Sequence, residues 1–200
     1  MGDHPTVVFD LGDVLVPSTG VLPALAAEIG VELERLTAAY WPGRLAYDLG
    51  GDDTAYWTGV LRALDVAPEP QLITRLTALD AAKWSALPAQ SARLISGLDA
   101  DGVRLGVLSN APAPLAAAVR AAEWSRRIDV LVFSAEVGLA KPDPAIYAAA
   151  DEAYGTAPQD VVFFDDRPAN VEAARAHGWA AHVWEGPQTL AVLGRELRIS

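Results

Sequence analysis

Four short runs of apolar, mostly β-branched or aromatic residues punctuate the chain: Thr6–Phe9, Val103–Leu108, Val130–Phe133 and Val161–Phe164. Each is too short for a buried helix and is bounded by turn chemistry, so the pattern predicts strands. Each run stops at polar residues. Asp10 follows the first, with Leu11-Gly12-Asp13 behind it; Ser109-Asn110 follow the second, Ser134 the third and Asp165-Asp166 the fourth. Ala180–Trp184 fits a fifth strand. Helical patterns lie between them: Leu115–Ala122, then Pro144–Ala153 with Asp143 as N-cap and proline at the first helical position, then Pro168–His177 closing on Gly178. Strands alternating with helices predict an α/β fold with a Rossmann-like parallel sheet covered on both faces. In such sheets ligands gather beyond the carboxyl ends of the strands. Asp10, Ser109, Asn110, Asp165 and Asp166 are therefore expected in one crevice, although the sequence scatters them.

Roughly ninety residues separate the first two strands, far more than a crossover helix needs. Within them, Leu22–Ile29, Glu32–Tyr40, Asp53–Leu64 and Gln71–Trp84 have helical spacing and few β-rich runs intervene. The predicted division is a core of residues 1–17 and 88–200 with a small helical cap, 18–87, inserted into it. The balance of 52% hydrophobic and 20% charged residues over 200 is that of a folding chain. A net charge of −11 argues against nucleic-acid and anionic-membrane partners, because phosphate contacts need clustered cations. Cysteine is absent, which excludes disulfides, thiolate nucleophiles and cysteine metal sites. The three histidines show no metal-ligand spacing. No apolar run approaches the ~20 residues of a spanning helix, and the first residues lack a basic and apolar leader, which predicts a cytoplasmic protein. Oligomeric state is not legible.

The strand-end residues suggest phosphoryl chemistry. A carboxylate at the tip of the first strand, Asp10, can attack phosphorus and form an aspartyl-phosphate that water later cleaves. Adjacent Asp165 and Asp166 can both be turned toward a cation at a strand end, and oxygen ligands suit Mg2+. Lysine occurs only at 83 and 141 in a chain that otherwise uses arginine. A compact ammonium at Lys141 can reach both Asp10 and a phosphate oxygen. Ser109 and Asn110, with the backbone N–H groups that follow, can hold phosphate oxygens.

The segments VVFDLGDVLV, VLSNAP, GLAKPDPAIY and FFDDRPANVEAA, in that order, resemble the four motifs of the haloacid dehalogenase-like hydrolases. The resemblance runs from Thr6 to about Trp184, with a helical insertion where that family keeps its cap. It is nearest to the branch of sugar-phosphate phosphatases and the amino-terminal phosphatase domain of epoxide hydrolases. It implies a nucleophile at Asp10, a metal-binding aspartate at Asp166, a second carboxylate at Asp165 and a metal-directed carbonyl at Gly12. The cap segment Trp41–Gly50 resembles the region where relatives discriminate substrates, with Arg44 and Tyr47 as the expected contacts. Tyr47 and Trp41 fit packing between cap helices equally well.

One position departs from the pattern. Phosphatases of the family usually carry an acid two residues after the nucleophile, and here that residue is Gly12. Asp13 or a cap residue such as Asp48 would have to protonate the leaving group in its place. The expected function is an Mg2+-dependent phosphatase acting on a small phosphorylated metabolite. Two alternatives stand beside it. A 2-haloacid dehalogenase needs no leaving-group acid, but it also needs no metal. A non-catalytic binding protein on the same scaffold would treat Gly12 as decay.

Overall fold

The computed structural model describes residues 5–186, 188 and 189. Strand β1 (Thr6–Phe9) is followed by five helices, α1 (Leu22–Ile29), α2 (Leu33–Tyr40), α3 (Arg44–Asp48), α4 (Asp53–Ala63) and α5 (Pro70–Ser85). The chain then runs through α6 (Ala89–Ala100), β2 (Leu105–Ser109), α7 (Ala113–Ala121), β3 (Val130–Phe133) and the single turn α8 (Ser134–Val137). It continues with α9 (Pro144–Tyr154), β4 (Val161–Asp165), α10 (Pro168–His177) and β5 (Ala180–Val183). The strands form one parallel sheet in the order β3-β2-β1-β4-β5. This is the α/β architecture expected from the alternating pattern. The chain leaves β1 toward one edge through β2 and β3, then crosses to the other through β4 and β5. The crevice of a doubly wound sheet opens where that order reverses, beyond the carboxyl end of β1.

Alternation along the strands sorts side chains into two apolar layers. Val7, Phe9, Val107, Val162 and Phe164 join one layer, and the same continuous cluster takes in Leu25, Leu36, Tyr40, Trp57, Leu76 and Trp84 of the helical insertion. Val8, Leu108, Val132 and Phe163 join the other, against Ile146, Tyr147 and Tyr154 of α9 and Val171 of α10. Each such buried side chain contributes roughly 1.5–3 kcal/mol relative to exposure. A glycine sits inside β2 because there is no room for more: a Cβ on Gly106 would lie 3.0 Å from the Tyr154 ring and 3.1 Å from Val8. The Tyr154 hydroxyl donates to the Val107 carbonyl at 3.1 Å.

Three helices were not expected from periodicity. Helix α3 has five residues and α8 four, less than two turns, so neither can display a repeating apolar stripe. Helix α6 dilutes its buried Ile95 and Leu98 with serine, glycine and alanine. Asp143 caps α9 as anticipated, accepting from Ala145 N at 2.9 Å. Among the described residues, no helix is long and apolar enough to cross a membrane.

Candidate active site

The site is assembled where β1, β2 and β4 end. Asp10 continues the pairing of β1, its N–H donating to the Phe164 carbonyl at 2.8 Å. Its Oδ1 accepts from Leu11 N at 2.7 Å and lies 3.0 Å from Lys141 Nζ. The carboxyl is almost fully buried. Burial pushes its pKa up, against the pull of the Lys141 charge; Asp165 adds to the rise, while the Ser109 hydroxyl opposes it by hydrogen bonding.

Lys141 is held in the loop before α9, with a side chain 1% exposed. Its ammonium donates to the Leu108 carbonyl at 2.8 Å and to Asp165 Oδ2 at 2.6 Å, besides facing Asp10. Burial opposes the charged form, but Asp10 and Asp165 outweigh it and hold the pKa above its ordinary value. With three donors and three partners, the lysine has no donor left for a phosphate oxygen unless one contact is surrendered. It therefore serves Asp10 more directly than the sequence expectation allowed. Asn110 is likewise engaged: its Nδ2 donates to the Lys141 carbonyl and its Oδ1 accepts from Lys141 N, both at 2.9 Å. The amide side chain clamps the lysine's own backbone while lining the cavity.

The adjacent aspartates have different surroundings. Asp165 is completely buried. Besides Lys141, it accepts from Arg167 N at 2.9 Å and from Asn170 Nδ2 at 2.9 and 3.0 Å. Asp166 is half-buried, and its carboxylate makes no hydrogen bond or ion pair among the described residues. Burial, followed by repulsion from Asp10 and Asp165, lifts its pKa from 3.8 to about 6. Oxygen atoms of Asp10, Asp165 and Asp166 lie within 4.8 Å of one another, the one such group among the described residues. An all-oxygen set of this kind fits a hard divalent cation.

Asp10, Asn110, Lys141 and Asp166 open into a cavity of about 540 Å3, whereas Asp165, expected in the same crevice, is buried behind it. Gly12, Ser109 and Arg44 line it, as expected. Tyr47 does not: it is buried, stacked on Tyr56 at 4.3 Å between ring centroids, and its hydroxyl donates to Asp53. The expectation that it contacts substrate is replaced by packing inside the insertion. Arg44 reaches the cavity but is buried in a polar cluster, its Nε donating to Asp48 Oδ1 at 2.7 Å and its Nη1 to Asp80 Oδ2 at 3.2 Å and to the Tyr40 hydroxyl. Asp48 also lines the cavity, and burial, opposed by Arg44, raises its pKa to about 6. Asp13 has a positive φ of 52° and accepts from Ser18 N at 2.7 Å, tying off the loop after β1. The Ser134 hydroxyl donates to the Asp48 carbonyl, joining the insertion to the end of β3.

The haloacid dehalogenase-like hydrolase pattern matches residues 4–178, most of the chain. The chain belongs to the haloacid dehalogenase-like hydrolases. Relatives of this hydrolase include Phosphatase MT3486 of Mycobacterium tuberculosis, 37% identical over 41% of this chain and 39% of the relative. A phosphorylated carbohydrates phosphatase of Thermotoga maritima is 38% identical over 30% of this chain and 28% of its own. The chain thus matches well under half the length of these relatives. Among solved structures, a dehalogenase with an intermediate complex superposes with a TM-score of 0.77 at 19% identity, covering both chains fully. A family enzyme from Bacteroides thetaiotaomicron, in complex with magnesium and inorganic phosphate, superposes with 0.70 at 18% identity over 92% of this chain and 96% of that one. At these identities the likeness establishes the fold of the hydrolase.

Sequence reasoning about this hydrolase missed Asn170, Arg167 and Trp84. Asn170 lies in the first turn of α10, directly behind Asp165-Asp166, and a polar residue there was the available signal. The exposed guanidinium of Arg167 and the indole of Trp84 line the cavity by tertiary placement.

Proposed function

We propose that this hydrolase is an Mg2+-dependent phosphatase that works through an aspartyl-phosphate on Asp10. The observation that carries the reading is Asp166: a partly desolvated carboxylate, lifted to about 6 and without a partner among the described residues, facing the cavity beside Asp10. A carboxylate left in that condition is a ligand for a cation. Asp10, Asp166 and the Gly12 carbonyl would hold the metal. Asp165, whose oxygens already accept from Lys141, Arg167 and Asn170, would chiefly position the lysine. When bound, Mg2+ would neutralise the acidic floor and polarise the phosphoryl oxygens.

The residues then have distinct parts. Leu11 N and Lys141 hold Oδ1 of Asp10, leaving Oδ2 to form the bond to phosphorus as the ester P–O bond breaks and the alcohol oxygen takes its electron pair. Lys141 favours the ionised form of Asp10 against the effect of burial, and Ser109 with the N–H groups after it would receive the phosphoryl oxygens. Water then cleaves the aspartyl-phosphate, releasing phosphate and restoring the carboxylate. Residues 18–87 would act as a cap, excluding water during the first step. The substrate is a small phosphorylated molecule.

The dehalogenase alternative draws on the superposed dehalogenases and on Arg44, a cation at the cavity wall. It leaves Asp166 at the cavity without a role. Hydrolysis of a generic phosphoester with Mg2+ and with chelator, beside a 2-haloacid control, tests the choice. Metal-dependent phosphate release that Asp166→Ala abolishes is expected. Metal-independent halide release would establish the alternative, and no turnover of either substrate would indicate a binding protein.

A further inference from the structure

We propose that the cavity selects phosphate esters with an apolar leaving group, such as an arylalkyl alcohol, over esters of polyols. This inference rests on the phosphatase reading. In-line attack by Asp10 places the leaving oxygen on the far side of phosphorus, away from the strand ends. The leaving group then meets the wall that the insertion supplies, formed by Trp41, Arg44, Leu45, Asp48 and Trp84.

The polar side chains of that wall are largely engaged with one another. Arg44 and Asp48 bind each other at 2.7 Å, Arg44 also binds Asp80, and the Trp84 indole N–H donates to the Tyr40 hydroxyl at 2.9 Å. A polyol would have to compete with these contacts for the few polar atoms they leave over in a partly dry site. The apolar part of the wall is in the opposite condition. Trp41 is 44% exposed and Leu45 57% exposed, although both are large and apolar, and both line the cavity. Leu115 of α7 lines it from the core. An aromatic or alkyl group seated here would cover surface that now faces water. The volume of about 540 Å3 accommodates a phosphate with a ring-sized substituent.

The test compares 2-phenylethyl phosphate with glycerol 3-phosphate in the presence of Mg2+. Both are primary alkyl esters, and the vicinal hydroxyl makes glycerol the better leaving group, so basicity works against the expected preference and cannot produce it. Calorimetry with 2-phenylethylphosphonate and 2-hydroxyethylphosphonate gives a second readout that does not depend on turnover. The phenylethyl compound should be preferred about tenfold or more in kcat/KM and in affinity, the effect of covering one ring face. Trp41→Ala, and separately Leu45→Ser, should each reduce that ratio several-fold; both positions are exposed enough for the fold to tolerate the change. Hydrolysis of both esters without preference, or a ratio unmoved in both variants, overturns this inference and leaves the phosphatase standing. Hydrolysis of neither, with no phosphonate bound, overturns both.

Discussion

Replacing Asp166 by asparagine should make the metal-free protein more stable while removing its response to Mg2+. The rise of the Asp166 pKa from 3.8 to about 6 means that the folded protein ionises this group at a cost the unfolded chain does not bear. At about 1.36 kcal/mol per pKa unit the full cost is about 3 kcal/mol; since the side chain is partly open to solvent, roughly half, about 1.5 kcal/mol, is the realistic figure. Asparagine keeps the shape and removes the charge. For a chain of this size the gain corresponds to a Tm increase of about 3–6 °C. The sign with pH follows from the same linkage. Below 3.8 the carboxyl is protonated in both states and carries no cost; between 3.8 and 6 only the folded state retains the proton; above 6 the cost is complete. The advantage of the variant should be full at pH 7.5 and gone by pH 4. Thermal melts in chelator at both pH values measure it. In Mg2+ at 100 times its Kd the wild type should recover about 2.7 kcal/mol and the variant almost nothing. A variant no more stable than wild type in chelator at pH 7.5, or one whose advantage is larger at pH 4, would refute the electrostatic account of this site.

Other substitutions probe the remaining parts. Asp10→Asn should reduce phosphoester hydrolysis by at least about 10³-fold with the fold intact by circular dichroism, and retention of most activity would exclude it as nucleophile. Asn110→Ala frees the Lys141 backbone, so kcat should fall about tenfold or more with little change in KM; a pure KM effect would return Asn110 to phosphate binding. Rates should depend steeply on leaving-group pKa in wild type and hardly change in Asp13→Asn, whose carboxylate is held by Ser18. Gly12→Asp should make that dependence shallower, and it should fit, because a Cβ there lies 3.5 Å from Trp84 in ordinary contact. A shallow wild-type slope that steepens in Asp13→Asn would make Asp13 the acid. Tyr47→Phe should leave relative activity across an ester panel unchanged and cost about 1 kcal/mol of stability through its Asp53 bond; an altered panel profile would restore Tyr47 to the cavity.

The sheet was legible because its strands are short apolar runs that stop abruptly at Asp10, Ser109, Ser134 and Asp165, and parallel strands buried on both faces leave that trace. The same polarity break marked most of the strand-end residues. What escaped were facts of partnership. Nothing local in KPDP shows that all three donors of Lys141 are engaged, or that Asn110 holds the lysine's backbone. Arg44 and Tyr47 are three residues apart and both suited to a cavity wall. Only the packing of α3 on α4, which stacks Tyr47 on Tyr56, separates them. Helix α3 itself was invisible to periodicity, although the resemblance marked Trp41–Gly50, which contains it, as a substrate-facing segment.

The position of β1 bears on how this protein is made. Of the five strands of this sheet the earliest synthesised is the central one, and its two neighbours, β2 and β4, arrive only after the whole insertion and then after β3 and α9. Asp10 therefore emerges from the ribosome long before Lys141 and Asp165. A nascent chain lacking β4 presents β1 as an open edge beside a lone carboxylate. Only when β4 seats do Asp165 and Asp166 join Asp10 and Lys141, in one late step. Catalytic competence and the seating of β4 should consequently appear together on refolding, which makes enzymatic activity a direct clock for that late stage of folding.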